Sequence, residues 1–161
     1  MPYELEIVEL APCTVAGIGV RTDMQNALKD CPALWQAFMP HMLEIGGKPA
    51  GEFQGESFGL SQVLDLERGI FDYFAAMPWP QGKALPAGFT LLNLQGGVHV
   101  RCKLVALRDL PGAYTFIYKQ WLPQQAAYAP SKHAFSFEHY TATYLQNGCF
   151  ELCVPLLPQI N

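Results

Sequence analysis

Apolar and polar residues alternate from Tyr3 to Leu10, with Leu5 and Ile7 set against Glu4 and Glu6. A period of two is that of a strand with one wet face. Ala11-Pro12 breaks it. Thr14 to Val20 resumes the extended pattern with β-branched residues, and Gly17 and Gly19 point to a bulge or a close backbone approach. The period then changes. Leu34, Trp35 and Phe38 share one face at helical spacing, with Asp30 as N-cap and Pro32 early in the helix, where its missing N–H costs nothing. Pro40 predicts a boundary or bend near Phe38, with the helix resuming through His41 to Glu44. Gly46-Gly47-Lys48-Pro49 closes the segment. Glu56 to Leu64 and Ile70 to Met77 read as two strands around the charged turn Asp65-Leu66-Glu67-Arg68-Gly69.

Trp79 to Gly88 is broken by prolines and glycines, offers little for packing, and reads as a connection between halves. Phe89 to Leu94 and Val98 to Ala106 are the next strand pair, joined at Gln95-Gly96-Gly97. In the second of them Val98, Val100, Cys102 and Leu104 alternate with His99, Arg101 and Lys103, which predicts one buried and one wet face. Leu110 to Leu122 is the second helix, with Leu110, Tyr114, Ile117, Tyr118, Trp121 and Leu122 as its apolar stripe and Pro123 as its stop. Tyr128 to His133 reads as a loop. Ala134 to Pro155 reads as two strands joined by a polar turn around Gln146-Asn147-Gly148. In the last strand Phe150, Leu152 and Val154 face one way and Glu151 and Cys153 the other.

The order is strand, strand, helix, strand, strand, and then the same again. GIFDYFAAMP resembles GCFELCVP, which sets Asp72 against Glu151 and Phe71 against Phe150. The expected fold is therefore α+β. Duplicated strand–helix–strand–strand modules, about 1–80 and 81–161, would form one pseudo-twofold antiparallel domain. Two main helices and two sheets would meet around a central cleft.

Composition narrows the function. Half of the 161 residues are hydrophobic and 15% are charged, which excludes a disordered chain. A net charge of -4 and scattered Lys and Arg argue against a direct nucleic-acid surface. The N-terminus, MPYELEIVEL, is acidic where a signal peptide is basic, and no apolar run is long enough to span a bilayer, so a soluble cytoplasmic protein is expected. The five cysteines are odd in number and irregularly spaced, and read as reduced. The four histidines do not combine with them at zinc-ligand spacings, so neither a metal nor a cofactor is expected. Two carboxylates stand out on the end strands among aromatic and apolar neighbours: Glu138 and Glu151. A carboxylate on the less polar face of a sheet is costly to bury unless something pairs with it. A cationic, apolar ligand would be such a partner. The alternation leaves open which of the two acids faces the cleft, because one residue of register slip exchanges the faces.

The ordered set ELEIVELAPCTVAGIGV, ALWQAF, FDYFAAMP, LPAGFTLLNLQGG, YTFIYKQWLP, FSFEHY and FELCVPL resembles the GyrI-like fold, the effector-binding domain of many AraC-type and MerR-type bacterial regulators. The resemblance spans almost the whole chain. It implies a small-molecule cleft between the halves, of the kind that binds flat, aromatic, cationic multidrug-type compounds through a buried Glu and surrounding rings. Carried onto this sequence, Glu138 and Glu151 are the candidate acids. Tyr73, Trp35 and Trp121 are the candidate ring walls, with Phe58, Tyr140 and Phe74 behind them. The chain starts directly on the first strand, so the resemblance implies a stand-alone form, and the DNA-reading role is not carried over.

The leading expectation is a non-catalytic module that senses or sequesters cationic amphipathic molecules. One alternative is a hydrolase with Glu138 or Glu151 as general base and Tyr73 or Tyr140 as hydrogen-bond donor. No Ser–His–Asp pattern or nucleophile elbow accompanies them. Another is a protein-interaction module, such as an inhibitor of a DNA-acting enzyme. The sequence is compatible with a monomer or a homodimer.

Overall fold

The computed structural model describes residues 3–46, 55–131 and 134–159. Its strands are β1 (Leu5–Leu10), β2 (Cys13–Asp23), β3 (Ser57–Asp65), β4 (Ile70–Pro78), β5 (Thr90–Leu94), β6 (Gly97–Leu104), β7 (Tyr128–Pro130), β8 (Ser136–Tyr140) and β9 (Phe150–Pro158). Its α-helices are α1 (Ala27–Gly46), α2 (Leu110–Phe116) and α3 (Ala142–Asn147). The strands form one antiparallel ladder, β1-β6-β9-β8-β3-β4-β2-β5, and β7 pairs with β9 off that path. The two half-sheets expected from the sequence are thus a single sheet, because β3 and β8 hydrogen-bond across its middle.

Two short links curl this sheet. β1 and β2 stand six strand spacings apart, about 29 Å if the sheet were flat. Only Ala11 and Pro12 join them, and the step from Leu10 to Cys13 can span only about 11 Å. Gln95 and Gly96 make the same crossing from β5 to β6. The edges must therefore approach each other. The inside of the curl is filled by Leu10, Val15, Phe58, Leu60, Leu94, Phe137 and Cys153, drawn from both edges and from the middle.

The other face carries the helices. α1 lies on β2 and β4, with Leu34 and Phe38 against Ala16, Ala75 and Met77. α2 and the turn after it set Ala113 and Ile117 against Val100, Cys102, Leu104 and Leu152. Phe38 and Ile117 are fully buried, and side chains of this size each contribute about 1.5–3 kcal/mol by leaving water.

The duplication is legible in the ladder. Exchanging β1 with β5, β2 with β6, β3 with β8 and β4 with β9 returns the same order. The central pair is its own counterpart: Gly59 faces Glu138, Leu60 faces Phe137 and Ser61 faces Ser136, so the local twofold passes through Leu60 and Phe137. Asp72 and Glu151, aligned in the sequence repeat, occupy matching strands and face Arg21 and Lys103. The glycines of β2 mark a close approach, since a Cβ on Gly17 would lie 1.9 Å from the Ala75 carbonyl oxygen.

Several expected details differ. α1 begins at Ala27, before Asp30; the turn leading into it is held by Asp23, whose Oδ1 accepts from the amides of Gln25 and Asn26. Asp30 instead accepts from the Thr22 hydroxyl at 2.7 Å. α1 also runs through Pro40 to Gly46, because the burial of Phe38 against Trp35 and Phe89 outweighs one missing helical N–H. Gly47, Lys48 and Pro49 lie outside the described residues. Trp79 is buried, donates its indole N–H to the Lys83 carbonyl and packs on Phe89, so the connection is partly core. His99, expected on a wet face, is buried because its face lines the curl. The second helix changes gauge: α2 passes into a π turn over Ile117–Trp121 and a 3-10 turn over Leu122–Gln124 that contains Pro123. Part of the expected loop is β7, and Lys132 and His133 lie outside the described residues. The turn before β9 contains α3, capped by the Thr141 hydroxyl and ended by Gly148 at φ 80. Among the described residues no helix is long and apolar enough to cross a membrane.

Candidate functional site

Between the two helices the sheet is floored by β3 and β8. By strand parity the positions facing the helices here are Gly59 and Ser61 on β3, and Ser136, Glu138 and Tyr140 on β8. These are small or polar where the flanking strands are apolar, with Leu152 of β9 beside Glu138. Tyr73 of β4 stands beside Ser61. The floor is therefore small or polar where the stretches of this face on either side of it are apolar and covered by the helices, and this is where the cleft expected between the halves would lie.

Glu138 is 3% exposed. Its Oε1 accepts two hydrogen bonds, from the Tyr73 hydroxyl at 2.9 Å and the Tyr140 hydroxyl at 2.8 Å. Trp35 on α1 donates its indole N–H to the Tyr73 oxygen at 2.9 Å, which fixes the direction of the chain Trp35 to Tyr73 to Glu138. Among the described residues no side chain donates to Oε2. Burial pushes the Glu138 carboxyl up to about 7, and the hydroxyls of Tyr140 and Tyr73 hold it from rising further. Burial and the nearby Glu138 charge push the Tyr73 and Tyr140 phenols well above their ordinary range, so both remain donors.

The walls are aromatic. Trp35 packs edge-on to Tyr140 with ring centroids 5.7 Å apart. Trp121 packs on the cluster that contains Tyr140 and Leu152. From α2, Tyr114 stacks with Tyr118 at 6.4 Å, and its hydroxyl lies 3.4 Å from the Ser136 hydroxyl.

The structure thus brings Glu138, Tyr73, Tyr140 and Trp35 together, with Trp121 at the border. It places three expected site residues elsewhere. Glu151 points to the opposite face, where Arg101 lies 3.3 Å away and His139 beyond it at 4.0 Å. Phe58 and Phe74 belong to the curl interior, one residue out of phase with the cleft. Gly59, Ser61, Ser136 and Tyr114 were not expected to line it. Ser136 is two residues from Glu138, so parity alone could have found it. Gly59 carries no such signal, because only the β3–β8 register puts it opposite the acid. Among the described residues no group of three His, Cys, Asp or Glu is arranged to hold a metal.

The family described as Cass2, integron-associated effector binding protein, has a model that matches residues 6–156. Among curated proteins none matches the sequence. The chain is similar in structure to an integron cassette protein from the mobile metagenome of Vibrio cholerae, 14% identical over 96% of this chain and 97% of that one, with a TM-score of 0.67. It is similar to SAV2435, solved bound to tetraphenylphosphonium, at 20% identity over 98% of this chain and 94% of that one, with a TM-score of 0.63. It is also similar to the C-terminal domain of EcmrR, 16% identical over 98% of this chain and 99% of that one, with a TM-score of 0.65. The fold is the GyrI-like one that the sequence resembles.

Proposed function

This chain belongs to the Cass2 family of integron-associated effector binding proteins, and from that premise we propose that its effector is an aromatic cation held against Glu138. The observation that carries the reading is the half-satisfied carboxylate. Oε1 is held by two tyrosine hydroxyls, while Oε2 has no protein donor among the described residues. A carboxylate this buried is destabilised by desolvation unless a positive charge joins it. A delocalised cation with apolar substituents supplies the charge and also fills an aromatic-lined space. Ring faces such as that of Trp35 add about 0.5–2 kcal/mol of cation–π attraction each. The tetraphenylphosphonium on SAV2435 supports this ligand class.

The test is calorimetric titration at pH 8 with tetraphenylphosphonium and with neutral triphenylphosphine oxide, on the wild type and on Glu138→Gln. The expected result is selective binding of the cation, weakened at least about tenfold in the variant, since a lost charge-assisted contact is worth about 1.5–3 kcal/mol. Equal binding of the two compounds, or no effect of Glu138→Gln, would overturn the proposal.

The position of the Glu138 carboxyl near 7 also favours a second reading, a hydrolase in which this group takes a proton from water. Turnover of an ester or epoxide panel that is lost in Glu138→Gln would establish it. Absence of turnover across the panel would remove it.

A further inference from the structure

The twofold through Leu60 and Phe137 maps Glu138 of β8 onto Ser61 of β3. A symmetric cleft would therefore hold two acids; this one holds an acid and a hydroxyl. Glu138 is the one buried carboxylate among the described residues. Around Ser61 the surface is uncharged and hydrogen-bonding. Ser136 stands opposite it, and the Tyr114 hydroxyl lies 3.4 Å from the Ser136 hydroxyl. Ser136 is two residues from Glu138 on the same face of β8, a step of about 7 Å.

We infer that the cleft is built for a monocation that carries an uncharged hydrogen-bonding group about 7 Å from its charge, and that it discriminates against dications. The inference rests on the reading of Glu138 given above. Hydroxyls donate and accept, so the Ser61–Ser136–Tyr114 lobe pairs with an alcohol, ether or amide. A second positive charge there would lose its water and meet no anion, which is unfavourable. One acid in one lobe thus sets both the charge count of the ligand and its polarity along its length.

The test uses three probes at pH 8: tetraphenylphosphonium, the same cation with one 4-(hydroxymethyl)phenyl ring, and the para-phenylene bis(triphenylphosphonium) dication. The wild type is expected to bind the hydroxymethyl compound about fivefold more tightly than the parent, the worth of one net hydrogen bond, and to bind the dication more weakly than the parent. The Ser61→Ala, Ser136→Ala double variant should lose the hydroxymethyl gain, read as the ratio of hydroxymethyl to parent affinity falling to about one. Ser61→Asp should raise dication affinity above that of the wild type. Equal affinity for parent and hydroxymethyl compound overturns the inference and leaves the cation reading standing, as does a dication that binds as tightly as the parent. Failure of the parent itself to bind removes both together.

Discussion

Gly59 and Glu138 face each other across the β3–β8 ladder, and the missing side chain at Gly59 is the space in which the carboxylate and its tyrosine meet. A Cβ on Gly59 would stand 2.2 Å from the Tyr73 hydroxyl and 2.6 Å from Glu138 Oε1. Gly59→Ala is therefore expected to push Tyr73 off the acid. Overpacking of this kind costs about 1–3 kcal/mol, and cation binding should fall with it. Urea denaturation and a tetraphenylphosphonium titration on the same variant check both effects. A variant of wild-type stability and affinity would show that the space is not limiting.

Glu138 makes stability depend on pH in a direction fixed by its raised carboxyl. Its ordinary value of 4.5 is lifted to about 7 by burial. A group raised on folding contributes stability that is complete below the unfolded value and is lost as pH rises through the folded one. The wild type should lose up to about 3 kcal/mol from this group between pH 4 and pH 8. Glu138→Gln has no charge to bury, so it should be more stable than the wild type at pH 8 and similar at pH 4. Chemical denaturation at both values tests this. Cation affinity should run the opposite way, rising toward a plateau above pH 7 as the carboxylate forms.

Tyr73→Phe removes one of the two donors to Oε1 and leaves the Trp35 indole N–H without its acceptor. A hydrogen bond to the ionised form lowers a carboxyl, so its loss raises Glu138 further. The midpoint of cation binding against pH should shift upward, and stability should fall by about 1–2 kcal/mol for the orphaned donor. Binding curves at four or five pH values measure the midpoint; an unmoved midpoint would mean that Tyr73 does not tune the acid.

Glu151→Gln separates the two candidate acids. Glu151 lies on the far face of β9, beside Arg101 and His139, and its side chain is 29% exposed. Arg101 also holds Glu6, so the loss of one partner leaves another. The expected cost is below about 1 kcal/mol, as for other partly exposed pairs, with cation affinity unchanged. A thermal melt and one titration suffice. A large loss of affinity would return Glu151 to the site.

Gly17→Ala probes the packing of β2 on β4. Its Cβ would lie 1.9 Å from the Ala75 carbonyl oxygen and 2.7 Å from the Ala75 carbonyl carbon, both backbone atoms that cannot rotate away. The ladder must separate to admit it. A destabilisation of about 3 kcal/mol is expected, read as a lower urea midpoint.

The alternation of Val98, Val100, Cys102 and Leu104, the helical spacing of Leu34, Trp35 and Phe38, and the likeness of GIFDYFAAMP to GCFELCVP carried the element order and the duplication without any coordinates. These are local signals, since each depends on neighbours within a strand or a helical turn. The aromatic and acidic character of the FEHY stretch was equally local, and with the family resemblance it marked Glu138 as a candidate. What the sequence could not determine was the pairing. Whether Glu138 or Glu151 faced the helices depended on which face of each strand the helices cover. That Phe58 and Phe74 fill a curl followed from two-residue links drawing opposite sheet edges together, a constraint between residues far apart in the chain. Gly59 and Ser61 owe their roles to the β3–β8 register alone: one makes room for the acid and the other replaces it. Periodicity within a segment records which side is buried; only the contact between segments decides what each buried side meets.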